Sequence, residues 1–182
     1  MNIKDSIIAK RYAVAYLNLS LEKLDNEDLL KIRGAYDFLL NNRQAFFLLT
    51  LPNISLSDKT YLIDVFLKKF NLSIYLKDLF LLLVEQNRIY LVKDVLKAII
   101  TIYQVRRNIM IFDISSSDSL DKNDIDVISK FLYKNTKNEI LPLYKIDKSL
   151  IAGIKLQSGS FLWEYSIKKQ LASTKKLLYK LR

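Results

Sequence analysis

Apolar side chains recur about every 3.6 residues through much of the first 109 positions, a spacing typical of helices that turn one face toward a core. Asp25 with Asn26, and Ser55 with Asp58, supply side chains that cap helix starts. The spacing predicts helices around residues 8–19, 29–40, 55–66, 74–86 and 92–103, with a short apolar segment at 45–49. We therefore predict that this part of the chain is largely helical.

The inward faces of these helices follow from the same spacing. In chain order they comprise Ile8, Tyr12, Ala15, Tyr16 and Leu19; Leu29, Ile32, Tyr36, Leu39 and Leu40; Leu62, Val65 and Phe66; and Val92, Val95, Leu96, Ile99, Ile102 and Tyr103. Residues 79–84 are apolar on nearly every side, which predicts that their helix, Phe80 included, lies at the centre of a bundle. Tyr61, Tyr75 and Tyr90 lie off these faces.

The apolar period changes from helical to extended at residues 106–110, and this change marks the predicted domain boundary. Strands are predicted at 110–114, 140–146, 150–157 and 161–165, with a loop at 115–118 and a hairpin turn at 158–160. Pro142 indicates an edge or irregular position for the second strand. Trp163 is predicted to lie half-buried in the hairpin, and an interface role for it is the alternative.

Two helices complete this second part. Asp121 begins the first, with Ile125, Ile128, Phe131 and Leu132 facing inward. Ser166 begins the second, with a stripe of Ile167, Leu171, Thr174, Leu178 and Leu181. The fold class is therefore mainly α, with an N-terminal helical bundle at 1–108 and a small C-terminal α/β domain at 109–182.

The composition restricts the chemistry. The chain has no Cys and no His, which removes disulfides, thiolate nucleophiles and the usual imidazole bases. Its three glycines are too scattered for a phosphate-binding loop. Asp121, Asp124 and Asp126 could ligate a hard cation, but acidic residues at a helix start are explained more simply by the helix dipole. We expect no catalytic residues, no cofactor and no metal.

The chain is strongly basic, with a net charge of +10. Such a charge favours partners that are acidic proteins, anionic lipids or nucleic acid, so a basic helical RNA-binding module is an alternative function. From Ser166 onward every charged side chain is basic: Lys168, Lys169, Lys175, Lys176, Lys180 and Arg182. This set is either a solvated surface or an attraction for an acidic or amphipathic partner helix or for an anionic membrane surface.

Neither a signal peptide nor a membrane span is indicated. The first 15 residues lack the apolar core of a signal peptide, and the longest aliphatic and aromatic run, 79–84, is far shorter than the roughly 18 residues that suggest a span. We expect a soluble chain that can work beside a membrane.

Four segments together resemble one known family. Residues 8–17, IAKRYAVAYL, are similar to its opening helix, and residues 78–89, DLFLLLVEQNRI, resemble its central helix and the turn with Glu85 and Arg88. Residues 147–154, DKSLIAGI, resemble its Asp-x-x-Leu-Ile-Gly-Gly motif, and residues 164–171, EYSIKKQL, resemble the entry to its final helix. The family is the delta subunit of the F-type ATP synthase, also called the oligomycin-sensitivity-conferring protein. Three residues depart from the family's pattern: Ala152, Asp78 and Glu164. These departures put in question the local backbone geometry rather than membership of the family.

The resemblance implies a fold and a role. It implies a six-helix N-terminal bundle that binds the N-terminal helix of an α subunit, and a C-terminal α/β domain that holds the C-terminal end of the b subunit. The chain would then be a non-catalytic stator of the peripheral stalk on the cytoplasmic face of a bacterial membrane, without which proton-driven rotation is not coupled to ATP synthesis.

The resemblance also implies where partners bind. The helix of the α subunit is expected in a groove between the helices of residues 11–21 and 74–86. The predicted contact residues are Arg11, Tyr12, Ala15, Leu19, Leu76, Leu79, Phe80 and Leu83. The residues expected to hold the family's motifs in place are Glu85, Arg88, Leu150, Ile151, Gly153, Ser166, Gln170 and Leu171.

Overall fold

A computed structural model describes residues 3–20, 23–51, 54–159 and 161–180, the last four of these by their backbone. The chain divides into two compact units, Met1–Val105 and Arg106–Arg182. The predicted boundary between residues 108 and 109 lies three residues beyond this division.

The described part of the first unit is helical. Its α-helices are α1 (Ile3–Ser20), α2 (Asn26–Asn41), α3 (Arg43–Thr50), α4 (Leu56–Phe70), α5 (Ile74–Glu85) and α6 (Val92–Arg107), with a 3₁₀ turn at Ile89–Leu91. The predicted caps are confirmed for two of them. Asp25 accepts a hydrogen bond from the Asp28 backbone N–H at 2.7 Å, and Ser55 accepts one from the Asp58 backbone N–H at 3.1 Å.

The buried face of α1 differs from the predicted one. Of the predicted set only Tyr16 is buried, Ala15 is exposed, and Leu19 is 78% exposed. The buried side chains are Ala9, Ala13, Tyr16, Leu17 and Ser20. Both sides of α1 carry apolar residues, and its small side chains allow a neighbouring helix to approach closely, so packing rather than hydrophobicity selects the buried face.

The other inward faces are confirmed in part. In α2 and α4, Leu40 is 48% exposed and Val65 is 47% exposed, contrary to prediction. Tyr36, Leu62 and Ile102 are half-buried. Buried positions fall instead on Ala35, Ile63, Leu67 and Ile100. Neighbouring positions lie about 100° apart around a helix, so a modest rotation exchanges which of two adjacent apolar residues is buried.

The second unit contains a four-stranded sheet. Its elements are β1 (Ile109–Ser116), α7 (Lys122–Thr136), β2 (Glu139–Ile146), a 3₁₀ turn (Lys148–Leu150), β3 (Gly153–Ser158), β4 (Phe161–Ser166) and α8 (Ile167–Lys180). The strand order is β2-β1-β3-β4, with β1 parallel to β2 and antiparallel to β3. The predicted hairpin of β3 and β4 and the edge position of Pro142 on β2 are therefore confirmed. The mainly helical fold with a small C-terminal sheet is confirmed as well.

Two expectations for this unit are corrected. Residues 115 and 116 continue β1 rather than form a loop, because Ser116 pairs with both Ile146 and Ile154. The apolar stripe predicted on α8 is not buried against other described residues. Its side chains through residue 176 are exposed, and Leu171 is 58% exposed. The side chains of Leu178 and Leu181 lie outside the described residues.

α7 packs on one face of the sheet. Its Ile128 and Leu132 form a buried cluster with Phe112, Ile114 and Leu156. The helix begins with a capping box, in which Asp121 accepts from the Asp124 backbone N–H at 2.7 Å and Asp124 accepts from the Asp121 backbone N–H at 3.3 Å. Among the helices that the structure describes, none combines the length and the apolar character needed to cross a membrane.

Candidate partner-binding sites

The outer face of α1 forms an open cleft of about 440 Å³. It is lined by Ile7, Lys10, Arg11, Val14, Ala15 and Asn18. Two of the predicted contact residues, Arg11 and Ala15, therefore line one surface, whereas Ile7, Lys10, Val14 and Asn18 were not predicted. The seven-residue interval between Ile7 and Val14, two helical turns, is the sequence signal for this second apolar face.

The four contact residues predicted on α5 are not at the surface. Leu76, Phe80 and Leu83 are fully buried and Leu79 is 7% exposed. Phe80 lies with its ring 6.0 Å from that of Phe66 on α4. These side chains pack the core, as predicted for a central helix, and offer little surface to a second chain. Their contact with a partner stays a prediction.

α5 nevertheless packs beside α1 and exposes other apolar side chains. Ile74 is 70% exposed and Leu82 is 42% exposed. The Tyr16 hydroxyl lies 3.3 Å from the Ser73 hydroxyl, and Lys23 donates to the Tyr75 hydroxyl at 2.8 Å. Burial raises the pKa of Tyr16, so its hydroxyl stays protonated, while the hydrogen bond to Tyr75 raises the pKa of Lys23.

The first two family segments meet in space. Asn87 adopts a left-handed backbone with φ of 53°, and the N–H groups of Asn87 and Arg88 donate to the carbonyls of Val84 and Leu83 at 2.9 and 2.7 Å. This pattern is a Schellman motif that ends α5. It aims Arg88 at α1, where its guanidinium donates to the Tyr12 hydroxyl at 3.1 Å. Arg88 thus links the end of α5 to α1, whereas Glu85 is exposed. The motif roles expected of these two residues stay predictions.

The third and fourth segments also meet. Gly153 pairs with Ser166 across β3 and β4, and a Cβ atom at residue 153 would lie 2.1 Å from the Tyr165 carbonyl oxygen. The Ile167 N–H donates to the Ala152 carbonyl at 3.0 Å, and Lys168 donates to the Ser149 hydroxyl at 3.1 Å. Together these contacts attach the start of α8 to the turn before β3.

Hydrogen bonds order that turn itself. The Ser149 backbone N–H donates to Asp147 at 3.0 Å, and bonding by Ser149 lowers the pKa of Asp147 below its ordinary value. Leu150 is 2% exposed and anchors the turn. Ile151 has φ of 70° and ψ of −58°, a strained conformation for a β-branched residue, and its side chain is 60% exposed.

Ser166 caps the last helix by accepting from the Lys169 N–H at 3.2 Å. Its hydroxyl donates to Glu164 at 2.7 Å, so the acidic residue at 164 supports the cap. Gln170 and Leu171, which were expected to hold the fold, are exposed on α8. That expectation is corrected, because an uncovered side chain contributes little to packing.

The acidic residues near α7 serve the helix start. Asp121 and Asp124 are its capping box. Within the part of the chain that the structure describes, no group of three or more Asp or Glu side chains is placed to hold a metal ion.

Comparison with known proteins identifies the family. Residues 8–178 match the family described as ATP synthase delta (OSCP) subunit. The chain belongs to the ATP synthase delta (OSCP) subunit family. The family match spans most of the chain and includes all four segments on which the resemblance was based.

Relatives and a solved structure agree with this assignment. The ATP synthase subunit delta of Rickettsia africae is 28% identical over 174 residues, 94% of each chain, and that of Trichlorobacter lovleyi is 26% identical over 97% of this chain and 98% of its own. A chain in the cryo-EM structure of the Toxoplasma gondii mitochondrial ATP synthase hexamer has a TM-score of 0.62 at 14% identity, covering 98% of each chain, which shows a shared fold.

This family is a stator component of the ATP synthase rather than an enzyme in its own right. The chain is therefore a non-catalytic member of the peripheral stalk. These matches give no support to the RNA-binding alternative.

Proposed function

We propose that the chain joins the catalytic head of the ATP synthase to the stalk formed by the b subunit, on the cytoplasmic face of a bacterial membrane. The first unit would be the six-helix bundle of the family and would bind the N-terminal helix of an α subunit. The second unit would hold the C-terminal end of the b subunit. This connection keeps the head from turning with the rotor, so that proton-driven torque is used for ATP synthesis.

The main observation in support of the proposed contact with the α subunit is the cleft on α1. Its apolar residues Ile7 and Val14 are bordered by Lys10 and Arg11, so the surface suits an amphipathic helix with acidic flanks. The exposed Ile74 and Leu82 extend the available apolar surface on α5. The binding groove that we propose is thus made of the outer sides of α1 and α5, with Tyr12 and Leu19 at the α1 side and the buried α5 residues as its support.

Titration of the full chain with a synthetic peptide of the N-terminal helix of the α subunit tests this site. Ala15→Asp places a carboxylate in the cleft, and we expect it to raise the Kd roughly tenfold or more, because a charge facing apolar anchors must be desolvated. Ala172→Asp, at an exposed position of α8, is the matched control and should bind like the parent.

The two variants decide between outcomes. If the Ala15→Asp and Ala172→Asp variants bound the peptide with equal affinity, α1 would be excluded from the binding site. No binding of the peptide by the parent chain at micromolar concentration would remove the proposed head contact altogether.

A further inference from the structure

The rotation of α1 about its own axis decides which side chains line the cleft on its outer side. The buried side of α1 carries Ala9, Ala13 and Leu17, and the outer side carries Ile7 and Val14. Both sides are therefore apolar in part. A modest rotation would exchange residues at the edges of the two sides with little change in buried apolar area. Hydrophobicity alone does not fix the rotation of this helix.

Packing against α6 does not fix it either. An opening of about 250 Å³ lies between α1 and α6. Its lining includes the short side chains of Ser6 and Ala9 on α1 and of Ala98 and Thr101 on α6. Short side chains around a space of this size make few contacts with each other. This side of α1 therefore resists rotation only weakly.

The turn after α5 contacts α1 at two points. The Arg88 guanidinium donates to the Tyr12 hydroxyl at 3.1 Å, and the Tyr90 hydroxyl donates to Asp5 at 3.5 Å. Asp5 and Tyr12 are seven residues apart, so they lie on the same side of α1, roughly 10 Å apart along its axis. The contact of Arg88 is the shorter of the two and its donor is charged, which makes it the stronger. Two contacts along one side of a helix oppose both its rotation and its sliding.

The turn is well anchored in the bundle. Ile89 is 6% exposed and Leu91 is 1% exposed, so both side chains are fixed in the core. The Leu91 N–H donates to the Arg88 carbonyl at 2.9 Å, and the Schellman motif at Asn87 joins the same turn to the end of α5. Arg88 therefore projects from a rigid support, as a residue that holds a second helix in place must.

We infer that Arg88 is a positioning residue for the α1 cleft. By donating to the Tyr12 hydroxyl, it holds α1 in the rotation that presents Ile7 and Val14 to a partner helix. Resting on the proposed function, Arg88 thereby raises the affinity for the N-terminal helix of the α subunit without contacting that helix.

Titration of the full chain with the peptide of the α subunit measures this effect. Arg88→Met removes the donors and the charge but keeps an unbranched side chain. We expect it to raise the Kd roughly three- to tenfold, because binding must then restore the rotation of α1. Arg88→Lys keeps a charged donor on a long side chain and should recover most of the affinity. All titrations are made at a temperature at which circular dichroism shows each variant folded.

A double-mutant cycle with Tyr12→Phe separates positioning from direct contact. Tyr12→Phe removes only the hydroxyl that Arg88 contacts. If Arg88 acts through that hydroxyl, Arg88→Met raises the Kd in the parent chain but causes no further loss in the Tyr12→Phe background. If Arg88 instead pairs with a carboxylate of the peptide, its loss weakens binding equally in both backgrounds, and added salt reduces the effect. The second result would overturn the proposal.

A charge control accompanies the cycle. Lys31→Met removes the same charge from α2, where Lys31 donates to Asp28 of its own helix at 3.1 Å. It should leave the Kd unchanged. A rise in Kd equal to that of Arg88→Met would mean that net charge, and not the position of α1, sets the affinity.

Thiol labelling tests the rotation of α1 without any peptide. The chain contains no Cys, so a single Cys can be introduced as a probe. Ala13 on α1 and Ala35 on α2 are both fully buried, and Ala13→Cys and Ala35→Cys should each be protected from a maleimide dye. Adding Arg88→Met should speed the labelling of Ala13→Cys several-fold and leave that of Ala35→Cys unchanged.

The outcomes separate this inference from the proposed function. If the parent chain does not bind the peptide, the contact with the α subunit fails, while labelling of Ala13→Cys still decides whether Arg88 holds α1. Unchanged protection of Ala13→Cys in the Arg88→Met background would overturn the positioning role. Faster labelling at both Ala13→Cys and Ala35→Cys would overturn it as well, because Arg88 would then stabilise the first unit as a whole.

Discussion

Gly153 shows how a single residue can decide local structure. Its φ of 102° is unfavourable for any other residue type, and the Tyr165 carbonyl occupies the space of a side chain. The adjacent Ala152 is not among the described residues with positive φ. The departure from the family's two glycines at 152 therefore leaves the turn intact, whereas a departure at 153 would not.

Gly153→Ala should accordingly destabilise the second unit by about 3 kcal/mol or more, because β3 and β4 must separate to admit the new Cβ. Chemical denaturation followed by Trp163 fluorescence measures this change. Ala152→Gly is the control and should change stability by less than about 1 kcal/mol. Similar small effects of both substitutions would contradict the close approach of the two strands.

At the scale of elements, α7 and α1 illustrate two different controls. The start of α7 is specified locally, since Asp121 and Asp124 satisfy each other's backbone N–H groups three residues apart. The orientation of α1 is specified from outside, by packing against α5 and by the Arg88 contact with Tyr12. Local signals in a sequence reveal the first kind of control and not the second.

Asp121→Ala should cost about 1 kcal/mol of stability in the second unit, the usual effect of losing a helix cap. Asp121→Asn keeps an acceptor for the Asp124 N–H and should retain most of the stability. Asp126→Ala, within α7 but outside the capping box, is the control with a smaller effect. Urea denaturation of the three variants provides the comparison, and equal losses for Asp121→Ala and Asp126→Ala would argue against the cap.

At the scale of the whole molecule, the chain is basic and carries candidate surfaces for different partners on its two units. Its net charge of +10 would favour association with acidic segments of the ATP synthase. A connector must bind at both places at once, so damage to one surface should uncouple the complex without affecting catalysis in the head.

Membranes stripped of this chain should therefore regain proton-driven ATP synthesis when the purified chain is added back. Addition of the Ala15→Asp variant should restore much less, and addition of Ala172→Asp should restore synthesis fully. ATP synthesis driven by an imposed proton gradient is the measurement. Full restoration by Ala15→Asp would exclude the α1 cleft from the head contact.

The sequence by itself determined the helices, the capped helix starts, the strands except the end of β1, the edge position of β2 and the family, because these depend on local spacing and on short motifs. It did not determine which face of α1 is buried, which side chains of α5 remain at the surface, or that Phe131 meets Trp163. Those outcomes depend on which elements pack together. When a helix is apolar on more than one side, only its neighbours in three dimensions decide which side remains open to a partner.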